Sequence, residues 1–66
     1  MKNNVRNERA ALKLTQDELA KCIGVSRQTI NAMETNKYVP STVLALKVAK
    51  VLKKKVEELF MLEEGD

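Results

Sequence analysis

The stretch Thr15-Gln16-Asp17-Glu18-Leu19-Ala20-Lys21-Cys22-Ile23-Gly24-Val25-Ser26-Arg27-Gln28-Thr29-Ile30-Asn31-Ala32-Met33-Glu34 decides the fold. Thr15 stands three residues before Glu18, the spacing of a capping box. In that motif the threonine oxygen accepts the backbone N–H of Glu18 while the glutamate reaches back to the N–H of Thr15. A helix begins there, turns Leu19, Ala20 and Ile23 inward, and stops at Gly24, the residue type that enters the left-handed region without steric cost. Ser26 supplies a second N-cap, so another helix starts two residues past the glycine.

The rest of the chain is marked less sharply. Residues 4–12 form a first helix with Val5 and Leu12 inward, and Tyr38-Val39-Pro40 is a loop. Ser41 caps a fourth helix through Leu52, and Val56 to Phe60 makes a short fifth. Apolar residues recur at spacings of three and four, with period-two alternation only near Phe60 and Leu62, so the fold class is all-α. At 66 residues the chain holds one domain, 1–66. A chain of this size buries only about 60% of its extended surface on folding. One cysteine and no histidine make a disulfide or a metal poor candidates for reinforcement, which leaves compact helix packing or a second subunit. No metal site, cofactor or small-molecule effector is implied. An enzyme is not expected, because the carboxylates read as caps and ion pairs rather than as an acid and a base.

Net charge is +3, but Glu63, Glu64 and Asp66 gather at the end, so residues 1–62 set twelve cations against six anions. A basic body of this kind attracts polyanions. No apolar run reaches the ~20 residues that span a bilayer, and no apolar stretch follows Met1 to Asn4, so a cytoplasmic protein with no membrane partner is expected. Cys22, beside Lys21, reads as a partly exposed structural thiol. Lys53 to Lys55 reads as a solvated loop.

Two capped helices joined by a short glycine turn make a helix-turn-helix arrangement. At 100° per residue, Ile30 and Met33 share an inward direction on the second helix, and Gln28, Asn31 and Ala32 fall on the opposite side. That outer face has two amides, a small residue and no acid; Glu34 is turned away from it. A glutamine amide matches adenine N6 and N7, a guanidinium matches guanine O6 and N7, and a threonine methyl matches the thymine methyl. Gln28, Arg27 and Thr29 supply one of each. On an arbitrary helix the ordinary reading of such a face is solvation. Ala32 argues further, because a small residue in mid-helix lets the backbone approach a surface closely.

Thr15 to Ala20, Ile23 to Asn31, Glu34, and Lys37-Tyr38-x-Pro40-Ser41 resemble the Cro/phage-repressor (XRE) helix-turn-helix family, from about residue 5 to residue 60. Within it they are most like the compact, single-domain, dimeric members of the cytolysin-operon repressor type. The resemblance implies a five-helix lambda-repressor-like DNA-binding domain, with the helix-turn-helix at about 15–34 and a dimerisation region at about 53–63. It implies a sequence-specific transcriptional regulator, a repressor that binds an inverted repeat in double-stranded DNA through residues 26–34. Arg27, Gln28 and Ala32 match base-facing positions, with Thr29 and Asn31 flanking them. Gln16 matches a phosphate-binding glutamine at a helix N-terminus. Ser26, Asn36, Lys37 and Tyr38 are the further phosphate candidates, and Arg9 with Glu34 matches a structural ion pair.

Three positions usually occupied by glycine in the family hold Lys13, Asn36 and Lys53; Glu8 stands at a usually apolar position, with Leu12 expected to supply the missing contact; and Lys55 replaces a Ser or Thr cap. One recognition helix spans few base pairs, so specificity calls for two, about 34 Å apart. The apolar cluster Val56, Leu59, Phe60, Met61 and Leu62 is assigned in part to a homodimer interface. In compact relatives the chain ends pair as strands, here Met1 to Asn3 with Met61 to Glu63. The alternative reading is an antitoxin or protein-interaction adaptor on the same fold; a polyanion or membrane-surface binder comes third.

Overall fold

Three of the five helices start at a hydroxyl that accepts a backbone N–H left free by the first turn. The computed structural model describes residues 1–66. Its elements run β1 (Lys2–Asn3), α1 (Val5–Ala11), α2 (Gln16–Ile23), α3 (Arg27–Glu34), α4 (Thr42–Leu52), α5 (Val56–Leu59) and β2 (Phe60–Met61). The N–H of Glu18 donates to Thr15 Oγ1 at 3.0 Å and the N–H of Thr15 to Glu18 Oε1 at 2.9 Å, which closes the capping box before α2. The Thr15 backbone bond, then the hydroxyl, hold the Glu18 carboxyl below the usual carboxylate range. Ser26 and Ser41 cap α3 and α4 by accepting from Thr29 and Leu44, both at 3.2 Å. Lys55 has no acceptor to offer α5. Glu58 instead accepts the N–H of Lys55 at 2.9 Å, so only the carboxylate half of a cap is present.

Gly24 ends α2 at φ +75°. Lys13, Asn36 and Lys53 adopt φ of +58°, +61° and +58°. The three turns therefore keep their left-handed geometry without glycine. Asparagine tolerates this region, whereas each lysine stores about 1 kcal/mol of strain.

Eleven side chains form one core: Val5 of α1; Leu19, Ala20 and Ile23 of α2; Ile30 and Met33 of α3; Leu44, Val48, Ala49 and Leu52 of α4; and Leu59 of α5. Helix α2 packs against both α3 and α4. Leu12 departs from expectation, since it is 43% exposed. Helix α1 ends at Ala11, and the left-handed Lys13 carries Leu14 to the core instead. Leu14 is fixed there by its N–H to the Arg9 carbonyl, 3.1 Å.

The chain ends pair antiparallel, Lys2 with Met61 and Asn3 with Phe60. The pairing lies one residue earlier on the second strand than expected, because Phe60 is already extended (φ −123°) and α5 stops at Leu59. The N–H of Asn4 donates to the Leu59 carbonyl at 2.8 Å and extends this strap. The Met1 ammonium lies 3.1 Å from Glu63 and 3.2 Å from Asp66, and is raised above its usual range by hydrogen bonds first to Glu63 and then to Asp66. No helix is long and apolar enough to cross a membrane.

A Cβ added at Gly24 would meet no atom within 4 Å, so Gly24→Ala measures conformational strain alone. It is expected to lower stability by about 1 kcal/mol in urea unfolding, while Lys53→Gly raises it by roughly 0.5–1 kcal/mol with an unchanged m-value. Opposite signs, or no change at either site, contradict the account of the turns.

Candidate nucleic-acid interface

Helix α3 is seated by two side chains with no exposed surface, Ile30 and Met33. Because they lie three residues apart, the opposite stripe of the same helix faces solvent. Arg27, Gln28 and Asn31 are exposed, and Thr29 and Ala32 are half-buried at its edges. Gln16, the first residue of α2, joins Arg27, Gln28 and Asn31 around a shallow cavity that has no hydrophobic residue in its lining. Four of the residues expected at a DNA surface are thus brought together, drawn from both helices of the motif.

Behind this cavity stands a polar anchor. Arg9 Nε donates to Glu34 Oε2 at 2.7 Å and Nη2 to Glu34 Oε1 at 3.1 Å, while Nη1 donates to the Leu14 carbonyl at 2.7 Å. The two side chains are 13% and 2% exposed, so the pair is largely withdrawn from water. The hydrogen bond to Glu34 pushes the Arg9 guanidinium above its already high range. Gln16 Nε2 donates to the same Glu34 Oε1 at 3.1 Å. The carboxylate can only accept, so the Gln16 amide nitrogen is directed toward it and the carbonyl end away from it.

The remaining phosphate candidates divide into two groups. Ser26 uses its hydroxyl on the N–H of Thr29 and lies 3.0 Å from Thr29 Oγ1, so these two residues bind each other in the free chain. Asn36, Lys37 and Tyr38 are exposed after α3, and Tyr38 lines a groove with Gly24, Val25 and Val43. Asn36 accepts from Asn3 Nδ2 at 2.9 Å. This role of Asn3 is not legible in the sequence, where Met1 to Asn3 read only as a chain end that pairs as a strand.

Of the expected interface cluster, Leu59 is corrected: it is fully buried within the single chain and has no surface to offer a second one. Val56, Phe60 and Met61 are half-buried, and Leu62 is 83% exposed. Val56 and Phe60 line an apolar groove with Val39, Pro40 and Leu46. The contribution of α4 escaped sequence reading, because Val43 and Leu46 look like ordinary core positions. They are 64% and 55% exposed. Cys22 is exposed on α2.

A family model described as helix-turn-helix matches residues 5–59. The chain is a helix-turn-helix transcriptional regulator of the Cro/phage-repressor (XRE) family. Among relatives of this helix-turn-helix protein, an HTH-type transcriptional regulator of Methanocaldococcus jannaschii is 50% identical over 66 residues, covering the whole of both chains. The regulator YgzD of Bacillus subtilis is 47% identical over 64 residues, 97% of each chain. In three dimensions the chain is similar to the P22 c2 repressor, solved in complex with synthetic operator 9T. That likeness has a TM-score of 0.78 and 31% identity over 94% of this chain and 89% of that one. It is also similar to the N-terminal DNA-binding domain of SinR from Bacillus subtilis, with a TM-score of 0.77 and 27% identity over 94% and 90% of the two chains.

Within this helix-turn-helix protein the Arg9–Glu34 pair is a structural tie, and removing one partner strands the other. Glu34→Ala is expected to cost roughly 3 kcal/mol in urea unfolding, and the double change Arg9→Met with Glu34→Met distinctly less. Equal losses would show that the ion pair itself, rather than the stranded charge, supplies the stability.

Proposed function

We propose that the chain is a repressor that binds an inverted-repeat operator in double-stranded DNA as a homodimer. The observation that supports this most is the exposed Arg27, Gln28 and Asn31 on a helix whose Ile30 and Met33 are wholly buried. Rigid seating holds a short polar face where a major groove can meet it. A glutamine amide there offers the paired donor and acceptor that adenine requires, and a guanidinium suits guanine. Lys37, Asn36 and the capping region at Ser26 contact phosphates, joined by Gln16 through the second hydrogen of Nε2 that Glu34 does not take, and these contacts set the register that base contacts then use. Thr29 and Asn31 flank the base contacts, and Ala32 permits close approach. The P22 c2 repressor, whose fold this chain shares, was solved in complex with a synthetic operator, which supports the DNA-binding reading.

Dimerisation uses the groove of Val39, Leu46, Val56 and Phe60, with Leu62 beside the second strand. That groove shares no residue with the cavity of Gln16, Arg27, Gln28 and Asn31, so a second copy and DNA are held by separate surfaces. Such a protein acts in the cytoplasm, and residues 1–66 act as one DNA-binding domain. An adaptor or antitoxin would offer the same groove to a different protein, and the mass of the purified species separates the two readings.

The test begins with selection of bound oligonucleotides from a random pool, which is expected to return a two-fold symmetric site. On that site Gln28→Ala costs about 1–3 kcal/mol while binding to unrelated DNA barely changes. Equal losses on both DNAs would refute base reading. Leu46→Glu, at a 55% exposed position, is expected to retain helix content yet convert a dimer to monomers and weaken operator binding. A variant that stays dimeric removes the groove from the interface.

A further inference from the structure

Asn3 lies on β1, outside the helix-turn-helix, yet both ends of its amide are committed. Its Oδ1 accepts the N–H of Val5 at 3.2 Å, and its Nδ2 donates to the carbonyl of Met33 at 2.9 Å. A backbone N–H only donates and a backbone carbonyl only accepts, so these two partners dictate which end of the amide is nitrogen. The second hydrogen on Asn3 Nδ2 goes to Asn36 Oδ1, 2.9 Å away. Asn36 must therefore present its carbonyl inward, which leaves its own Nδ2 with two hydrogens on the outer side of an exposed loop. The Asn36 backbone is locked as well, at φ +61° with its N–H on the Met33 carbonyl at 3.2 Å.

We infer that Asn3 is a positioning residue for DNA binding, holding the Asn36 side chain as a hydrogen-bond donor toward a phosphate of the DNA backbone. The inference rests on the DNA-binding reading above and extends it to a residue that does not itself touch the nucleic acid. Turned the other way, Asn36 would set its carbonyl oxygen against phosphate oxygen, and a contact would become a repulsion. Asn3 is in turn kept in place by its pairing with Phe60 and by the bond from the Asn4 N–H to the Leu59 carbonyl. The strand strap at the chain ends thus determines the polarity of a loop next to the recognition helix. A glycine at position 36 would satisfy the backbone but offer no donor for Asn3 to orient.

Two measurements test this. In the DNA-free protein, NMR solvent exchange of side-chain amide hydrogens is expected to be slow for Asn3 and as fast as a free amide for Asn36. Protected Asn36 hydrogens overturn the inference whatever DNA does. Asn3→Asp keeps an acceptor for Val5 but has no hydrogen to give, so it draws Asn36 Nδ2 inward. It is expected to lower affinity about tenfold, the order of one hydrogen bond to a charged group, on operator and unrelated DNA alike. In the Asn36→Gly background the loss from Asn3→Asp should be at least about fivefold smaller, because general repulsion by the new charge is common to both backgrounds. Equal losses in the two backgrounds overturn the inference. If Asn3→Asp does not fold, Asn3→Ser keeps an acceptor without a charge and must narrow the affinity gap between the native chain and Asn36→Gly; an unchanged gap overturns the inference as well. The expected exchange pattern together with no DNA binding by the native chain overturns the DNA reading, and the phosphate role with it.

Discussion

The burial of Ile30 and Met33 against α2 is the constraint on which the other features depend. Each side chain is wholly covered, and full burial of such a residue is worth about 1.5–3 kcal/mol. Their contribution fixes the rotation of α3 about its own axis as well as stability. Had the helix turned by one residue, Gln28 would leave the surface and a methionine or isoleucine would take its place. Leu19, Ala20 and Ile23 provide the facing surface on α2, and the left-handed Gly24 lets the two helices meet over so short a turn. The hydrophobic core thereby decides which side chains α3 shows to solvent.

Polar groups add a second kind of control. A core sets where a side chain points but not which end of an amide faces outward. In this chain two amides near α3 have that choice made by partners of fixed polarity: the Glu34 carboxylate for Gln16, and Asn3 for Asn36. Glu34 does so while paired with Arg9, so the tie that holds α1 to the end of α3 also orients a residue at the start of α2. Hydrogen-bond donors and acceptors prepared before a ligand arrives need not be reorganised on binding, which favours affinity.

Much of this was legible in the sequence, and the reasons are local. Thr15 with Glu18, Ser26 and Ser41 announce helix starts through side-chain chemistry that acts over three residues, Gly24 announces a helix end through its freedom to take a positive φ, and all five act as read. The Arg9–Glu34 pair was available only through family resemblance, since its partners are 25 residues apart. What could not be read depends on contacts between distant segments. Leu12 and Leu59 follow the same apolar spacing, yet one faces solvent and the other is buried, because the turn at Lys13 and the strap of β1 on β2 decide the matter. The exposed Val43 and Leu46 of α4 have core-like neighbours in sequence, and Asn3 gives no sign of reaching Asn36 across 33 positions.

The most direct test of the account is an NMR titration of the labelled chain with the selected operator duplex, following backbone, side-chain amide and methyl signals together. Shifts and intermolecular contacts centred on Gln16, Arg27, Gln28, Asn31, Asn36 and Lys37, with the Ile30 and Met33 methyls remaining out of contact with DNA, are the predicted result. Contacts centred instead on the groove of Val39, Leu46 and Phe60, with α3 undisturbed, would contradict it.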